Sequence, residues 1–267
     1  MIKCLKITAA VCATALSMGI ASADQHMSQQ QPTAPIETTK NFNAGQVTDI
    51  HNIIVNYMLT HPEILNRTVI ALRAKIAKQQ NEKALVKIQE NKKDIFNNQW
   101  TPVIGNPKGK ITVVEFFDYQ CHHCKTSSNI IRQQLKNNKN LRVAIKDFVM
   151  FGDYSVLAAK VSLYAKQEGK YKAFHNALID HKGQLDQDTI YDLAKKVGLN
   201  QKKLEEYLHK NANDLELYMV NTRDIAEKLG IDRTPAFIIA NTDNNKYVFK
   251  KGAIDEKALK DAISQVQ

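Results

Sequence analysis

The chain is short of cysteine, short of arginine, and short of long apolar runs. Each shortage removes a class of function. Arginine is confined to Arg67, Arg73, Arg132, Arg142, Arg223 and Arg233. The formal charge of +10 is therefore carried almost wholly by lysine, spread along the chain among asparagine and isoleucine. Nucleic-acid surfaces favour arginine, whose planar fork matches phosphates and base edges. A dispersed lysine excess reads instead as a solvated surface, and no nucleic-acid partner is expected. Only Ile7 to Ile20 forms an extended apolar run, and it is too short to span a bilayer comfortably. No internal repeat is apparent.

That run belongs to a leader. Lys3 and Lys6 precede it without an acid among them, and Ala21-Ser22-Ala23 follows as a small-x-small cleavage site. Residues 1–23 read as a secretory signal peptide cut before Asp24. Val11 before Cys12 argues against a lipoprotein. Removing the leader lowers the charge to 10 − 2 = +8 and gives an exported, soluble chain. It also removes Cys4 and Cys12, two of the four cysteines, leaving Cys121 and Cys124. Exported compartments are oxidising. A bridge across two residues closes too small a loop to restrain the unfolded chain much. The pair therefore reads as reactive.

Residues 24–45 are polar and rich in Gln, Thr and Pro, which predicts a disordered tether. Residues 46–98 read as helical. Val47, Ile50, Ile53, Ile54, Tyr57 and Met58 form one amphipathic stripe. Thr60-His61-Pro62-Glu63 reads as a helix start, with Thr60 as cap and Glu63 completing a capping box. Leu65, Val69, Leu72 and Ile76 then form a heptad seam, which weakens over Lys78 to Lys83 and resumes at Leu85, Ile88 and Ile95. Continuous from Pro62 to Asn97, this helix would measure about 50 Å. It must pack on its own domain, as a hairpin with Val47 to Met58, or on another subunit. The subunit is favoured, most simply in a homodimer.

Trp100 to Lys110, punctuated by Pro and Gly, marks a boundary. Ile111 to Phe117 is a β-branched and aromatic run, predicted as a buried strand. A helix from about His122 to Lys136 and a strand at Leu141 to Val149 complete a strand–helix–strand unit. Tyr154 to Leu229 reads as helical, broken at Gly169, Gly183 and Gly198. Strands at Ala236 to Ala240 and Tyr247 to Lys250 and a helix at Asp255 to Val266 close the chain. Cys121 then stands where a helix starts. Unpaired N–H groups and the positive dipole end favour its thiolate. His122 and His123 can add charge or a hydrogen bond. Cys124, one turn on and more buried, becomes the resolving thiol. A stabilised thiolate favours the reduced form, so the disulfide is a strong oxidant.

Glu115-Phe116-Phe117, Cys121-His122-His123-Cys124-Lys125 and Thr234-Pro235-Ala236-Phe237 together resemble the DsbA/DsbC/DsbG proteins of the bacterial envelope. The resemblance runs from Trp100 onward. It implies an α/β thioredoxin fold at 99–267 with an inserted helical domain at about 153–229. The helical leader resembles the N-terminal α-helical oligomerisation segment of a DsbA-like subgroup. By that resemblance Cys121 is the nucleophile, Cys124 its partner, His123 the motif histidine and Glu115 the buried acid of a proton relay. Pro235 is the cis-proline facing the disulfide, X-Pro being where a cis bond is affordable, and Thr234 tunes it. His122 departs from the family's Pro or Gly. The resemblance further implies a periplasmic protein disulfide oxidoreductase of a Gram-negative bacterium. It would act on unfolded or misfolded exported proteins, with membrane redox partners of DsbB or DsbD type and no cofactor beyond its own disulfide.

Rival readings stay open. Copper or zinc could meet the Cys and His of the motif, but a structural zinc site wants four ligands and there is no second Cys pair. Lys125 stands where covalent haem would need His. The remaining histidines, His51, His61, His175, His181 and His209, are expected on helix surfaces. A peptide-binding envelope chaperone or scaffold with incidental thiols is the second rival. Within the enzyme reading, the His pair argues for an oxidase, and Thr234 with an oligomer argues for an isomerase.

Overall fold

The computed structural model describes residues 41–267; the expected signal peptide and most of the expected tether lie outside the described residues. The chain divides into two units, 1–65 and 66–267. The described part of the first holds α1 (Ala44–Thr60) and the opening residues of α2 (Pro62–Glu90). α1 starts inside the span expected to be a tether. Asn43 and Gln46 cap it reciprocally, side chain to backbone in both directions, which fixes the start ahead of the first apolar residue. None of its residues is buried. Thr60 does not cap α2: its hydroxyl turns back to the Asn56 and Tyr57 carbonyls as the last residue of α1. His61 ends α1, and its ring meets Glu63 at 3.1 Å.

The second unit continues α2 and adds α3 (Lys92–Phe96), β1 (Val103–Gly105), β2 (Ile111–Phe117), α4 (His122–Asn137) and β3 (Leu141–Asp147). Then come α5 (Asp153–Gln167), α6 (Tyr171–Asp180), α7 (Gln187–Lys196), α8 (Gln201–Lys210) and α9 (Ala212–Lys228). β4 (Ala236–Asn241), β5 (Lys246–Lys251) and α10 (Glu256–Val266) complete it. The strands form one mixed sheet in the order β1-β3-β2-β4-β5. β2 and β3 run parallel; the other neighbours are antiparallel. This is a thioredoxin-like α/β fold with helices inserted between β3 and β4, as expected. β1 was not: its three residues lie in the Pro–Gly boundary.

β2 is buried along its whole length, so its alternate residues face two cores. Ile111, Val113 and Phe117 join Cys121, Cys124, Ile131 and the insertion helices. Val114 and Phe116 join Ile225 and Ala226 of α9, and Leu229 just after it, on the other face. That second core also holds Ala84, Ile88, Ile95 and Phe96. The seam is thus divided. Its later part is packed on this unit's own sheet, while Leu65, Val69, Leu72 and Ile76 are 42–55% exposed. The helix is also shorter than expected, ending at Glu90. Beyond it α3 is held by cations on its carbonyls: the buried Lys146 Nζ donates to Asp94 O, and the half-buried Arg142 donates to Phe96 O at 2.8 Å. Cations at a helix C-terminus offset its negative end.

Candidate active site

β2 delivers Asp118 to the sheet's C-terminal edge. Cys121 follows as the N-cap of α4, with extended backbone at φ −75° and ψ 115°. Its residue is 5% exposed, and Cys124 on the next turn is fully buried. Both thiols are free. The Cys121 thiol donates to the Thr234 carbonyl at 3.5 Å, and the Thr234–Pro235 peptide is cis. Gly252 N donates to Pro235 O at 2.9 Å, which ties this loop to the end of β5. The sequence motifs around Cys121 and Pro235 therefore meet, although 113 residues separate Cys121 from Thr234.

The two sulfurs sit in opposite electrostatic settings. Cys121 falls from 9.0 to about 5. The Cys124 thiol, donating to its sulfur, is the main cause; burial opposes it, and Thr234 and the N–H groups of Cys124 and His123 add to the fall. The Thr234 hydroxyl has no other partner, so it is free to donate to a thiolate. Cys124 is pushed strongly up, first by burial, then by its donation to Cys121 and by Glu115. A pair arranged this way carries one thiolate and one thiol at neutral pH.

Glu115 lies on the same face of β2 as Val113 and Phe117, toward the cysteines. It is fully buried and neither carboxylate oxygen has a hydrogen-bond partner. Burial, then the Cys121 charge, raises its carboxyl well above the ordinary range. His122 and His123 are exposed, their rings 5.9 Å apart. It is the His123 backbone N–H that favours the Cys121 thiolate.

Sequence reasoning missed the residues that hold this arrangement. The buried Asp118 carboxylate accepts four bonds: Gln120 N at 2.8 Å, Ser155 Oγ at 2.7 Å, Met150 N at 2.6 Å and Phe151 N at 3.3 Å. It joins the cysteine loop to the β3–α5 loop. The Gln120 amide spans the Leu185 backbone, donating to its carbonyl at 2.9 Å and accepting from its N–H at 3.1 Å. His175 corrects another expectation. It is buried, not on a helix surface, with Nδ1 2.9 Å from the Tyr119 hydroxyl. Burial lowers it to about 3, so its ring stays neutral. The stripe Tyr171, Phe174, His175, Leu178 has helical spacing and contained that signal. Among the described residues, no group of three or more His, Cys, Asp or Glu is placed to hold a metal ion, and no helix is long and apolar enough to cross a membrane.

Comparisons with known proteins point the same way. A thioredoxin-like oxidoreductase from Silicibacter pomeroyi is 31% identical, with TM-score 0.60, covering 65% of this chain and 96% of its own. ScsC of Proteus mirabilis in a transitional conformation is 26% identical with TM-score 0.60, covering 84% of this chain and 97% of its own. Disulfide bond formation protein D of Bacillus subtilis is 26% identical over 178 residues, 61% of this chain and 76% of that protein. Na(+)/H(+) antiporter NhaA 1 of Salinispora arenicola also matches, 22% identical over 176 residues. That match takes in 64% of this chain, which spans only 27% of the antiporter's length. A DSBA-like thioredoxin domain matches residues 112–264, more than half of the sequence, and the chain belongs to that family of thiol-disulfide oxidoreductases.

Proposed function

We propose that this protein forms and reshuffles disulfide bonds in exported proteins through Cys121 and Cys124. The observation that carries the reading is the asymmetry of the pair: Cys121 at a helix N-terminus and lowered to about 5, Cys124 buried and pushed up. In the donating direction, a substrate thiolate attacks Cys121 Sγ of the protein disulfide. Cys124 leaves and takes up a proton, for which Glu115, buried close enough to raise Cys124 and itself held above the ordinary carboxyl range, is the candidate source. A second substrate thiolate then attacks the substrate sulfur of the mixed disulfide and expels Cys121 as a thiolate, its stable form. The protein gains two electrons and the substrate gains one disulfide. Run from the reduced protein, Cys121 attacks a wrong disulfide and a different substrate thiol releases it, which is isomerisation. Thr234 and Pro235 present backbone to the substrate. No cofactor beyond the pair is required, and a membrane partner of DsbB or DsbD type would reset its redox state.

Export to a Gram-negative periplasm rests on the leader, Lys3 and Lys6 before the apolar run and Ala21-Ser22-Ala23 after it. Self-association, as a homodimer, rests on the exposed half of the seam and on the bare apolar residues of α1. A cell-based trap tests the reading. Cys124→Ala removes the resolving thiol, so mixed disulfides between Cys121 and exported proteins accumulate on non-reducing gels. Their absence, with the variant present and folded, sinks the proposal. Thiol trapping of the wild type separates the two directions: mostly oxidised marks a donor, mostly reduced an isomerase.

A further inference from the structure

A groove of about 670 Å³ lies beside the cis-proline loop, between the start of α5 and the end of α9. Phe148, Val156 and Ile231 give it an apolar lining, with Met150 at its lip. Met150, Phe151 and Tyr154 cluster here at 41–55% exposure. Neighbouring exposed apolar side chains mark surfaces that meet partners. The groove's charge runs against the rest of the molecule. Asp153, Glu227 and Asp232 line it with Arg223; Asp232 is paired with Arg233 at 3.1 Å, which leaves Asp153 and Glu227 against Arg223, a balance of −1 in a chain of +10.

Position identifies the occupant. Asp232 is two residues from Thr234, whose carbonyl touches Cys121 Sγ, so its Cα lies within about 7 Å of the Thr234 Cα. An extended polypeptide rises about 3.3 Å per residue. With its cysteine over Cys121, residues two or three positions along reach the groove, and on one side only. The Met150 and Phe151 amides that frame the lip are held by Asp118, which also holds Gln120 N beside the redox pair. Groove and sulfur thus share one anchor.

We infer that the groove selects substrate segments in which an apolar residue, with a basic neighbour, stands two or three positions to one side of the cysteine. This rests on the disulfide-exchange reading above. Extended nine-residue peptides with one central cysteine test it, by stopped-flow reaction with the oxidised protein. Leu-Lys is placed in turn at positions two and three before or after the cysteine, against Ser-Lys and Leu-Glu controls. Leu-Lys should react about tenfold faster than Ser-Lys on one side, the scale of one partly buried leucine, and faster than Leu-Glu. Met150→Glu should collapse the Leu:Ser ratio and Glu227→Lys should invert the Lys:Glu preference. Each ratio is taken within one variant, so a shared change in rate cancels. Equal rates for Leu and Ser, a preference on both sides, or ratios unchanged in the variants would overturn the groove. Dithiothreitol is too small to need it. A wild type that oxidises dithiothreitol but shows no peptide preference refutes only the groove. One that fails with dithiothreitol refutes the redox reading as well.

Discussion

Replacing Cys124 by alanine removes the largest influence on Cys121. The Cys124 thiol donates to the Cys121 sulfur and is the first cause of its fall from 9.0 to about 5. A hydrogen bond to a charged group is worth about 1.5–3 kcal/mol, and one pH unit corresponds to about 1.36 kcal/mol. Losing that donor destabilises the thiolate, so the Cys121 titration should rise by about one to two pH units. The helix N-terminus and the Thr234 hydroxyl would still hold it below 9. Alkylation rate against pH, or thiolate absorbance near 240 nm, reads this directly with a single thiol present. Cys124→Ser keeps a donor and should restore most of the fall. The wild-type pair carries a further signature. Above pH 5 reduction takes up one proton and below it two, so the potential should fall by about 30 mV per pH unit above the break and about 59 mV below it. Stability follows the same sign. A thiol lowered in the folded state stabilises the reduced form above the unfolded value near 9 and loses that contribution as pH falls through 5. At pH 7 the contribution is about 3 kcal/mol. A Cys124→Ala titration at or below the wild-type value would refute this account of the thiolate.

Asp118→Ala leaves four donors, the buried Ser155 hydroxyl and three part-buried backbone N–H groups, without their acceptor and should cost about 2–4 kcal/mol in urea unfolding, with Asp118→Asn milder. A loss under 1 kcal/mol would show that water replaces the carboxylate. Cutting the chain before residue 78 removes α1 and the exposed half of the seam but keeps Ala84, Ile88, Ile95 and Phe96 on the sheet. Sedimentation should change from oligomer to monomer, and an unchanged state would discard the seam as the contact.

Legibility tracked the range of the forces involved. β2 was readable end to end, because a strand buried on both faces carries a dense run of apolar β-branched and aromatic residues, here interrupted only by Thr112 and Glu115. The cysteine pair was readable because strand, helix start and Thr234-Pro235 each leave a local mark. β1 left none. It exists through antiparallel pairing with β3 some 40 residues on, and Pro102 and Pro107 hid it. Nothing in the sequence marks Lys146, which is buried because the Asp94 carbonyl and the Tyr218 ring, 5.8 Å away, receive its ammonium. The seam misled through its own regularity. Heptad spacing reports that a stripe wants cover, not which surface supplies it, and here the sheet's own back face covers the later turns.

The setting of Glu115 has a consequence for how such a site changes. Its neighbours across β2 are Ile145 on β3 and Phe237 on β4, side chains on the same face of the sheet. What keeps its proton in place is hydrocarbon, with burial the first cause. Salt reaches a buried group weakly, so the surroundings have little grip on that proton. Packing has a great deal. Trimming Ile145 or Phe237 enough to admit one water would move the acid toward its ordinary range without altering a single polar atom. The proton inventory of the redox pair is then a property of apolar volume, open to drift through substitutions that look like ordinary core variation.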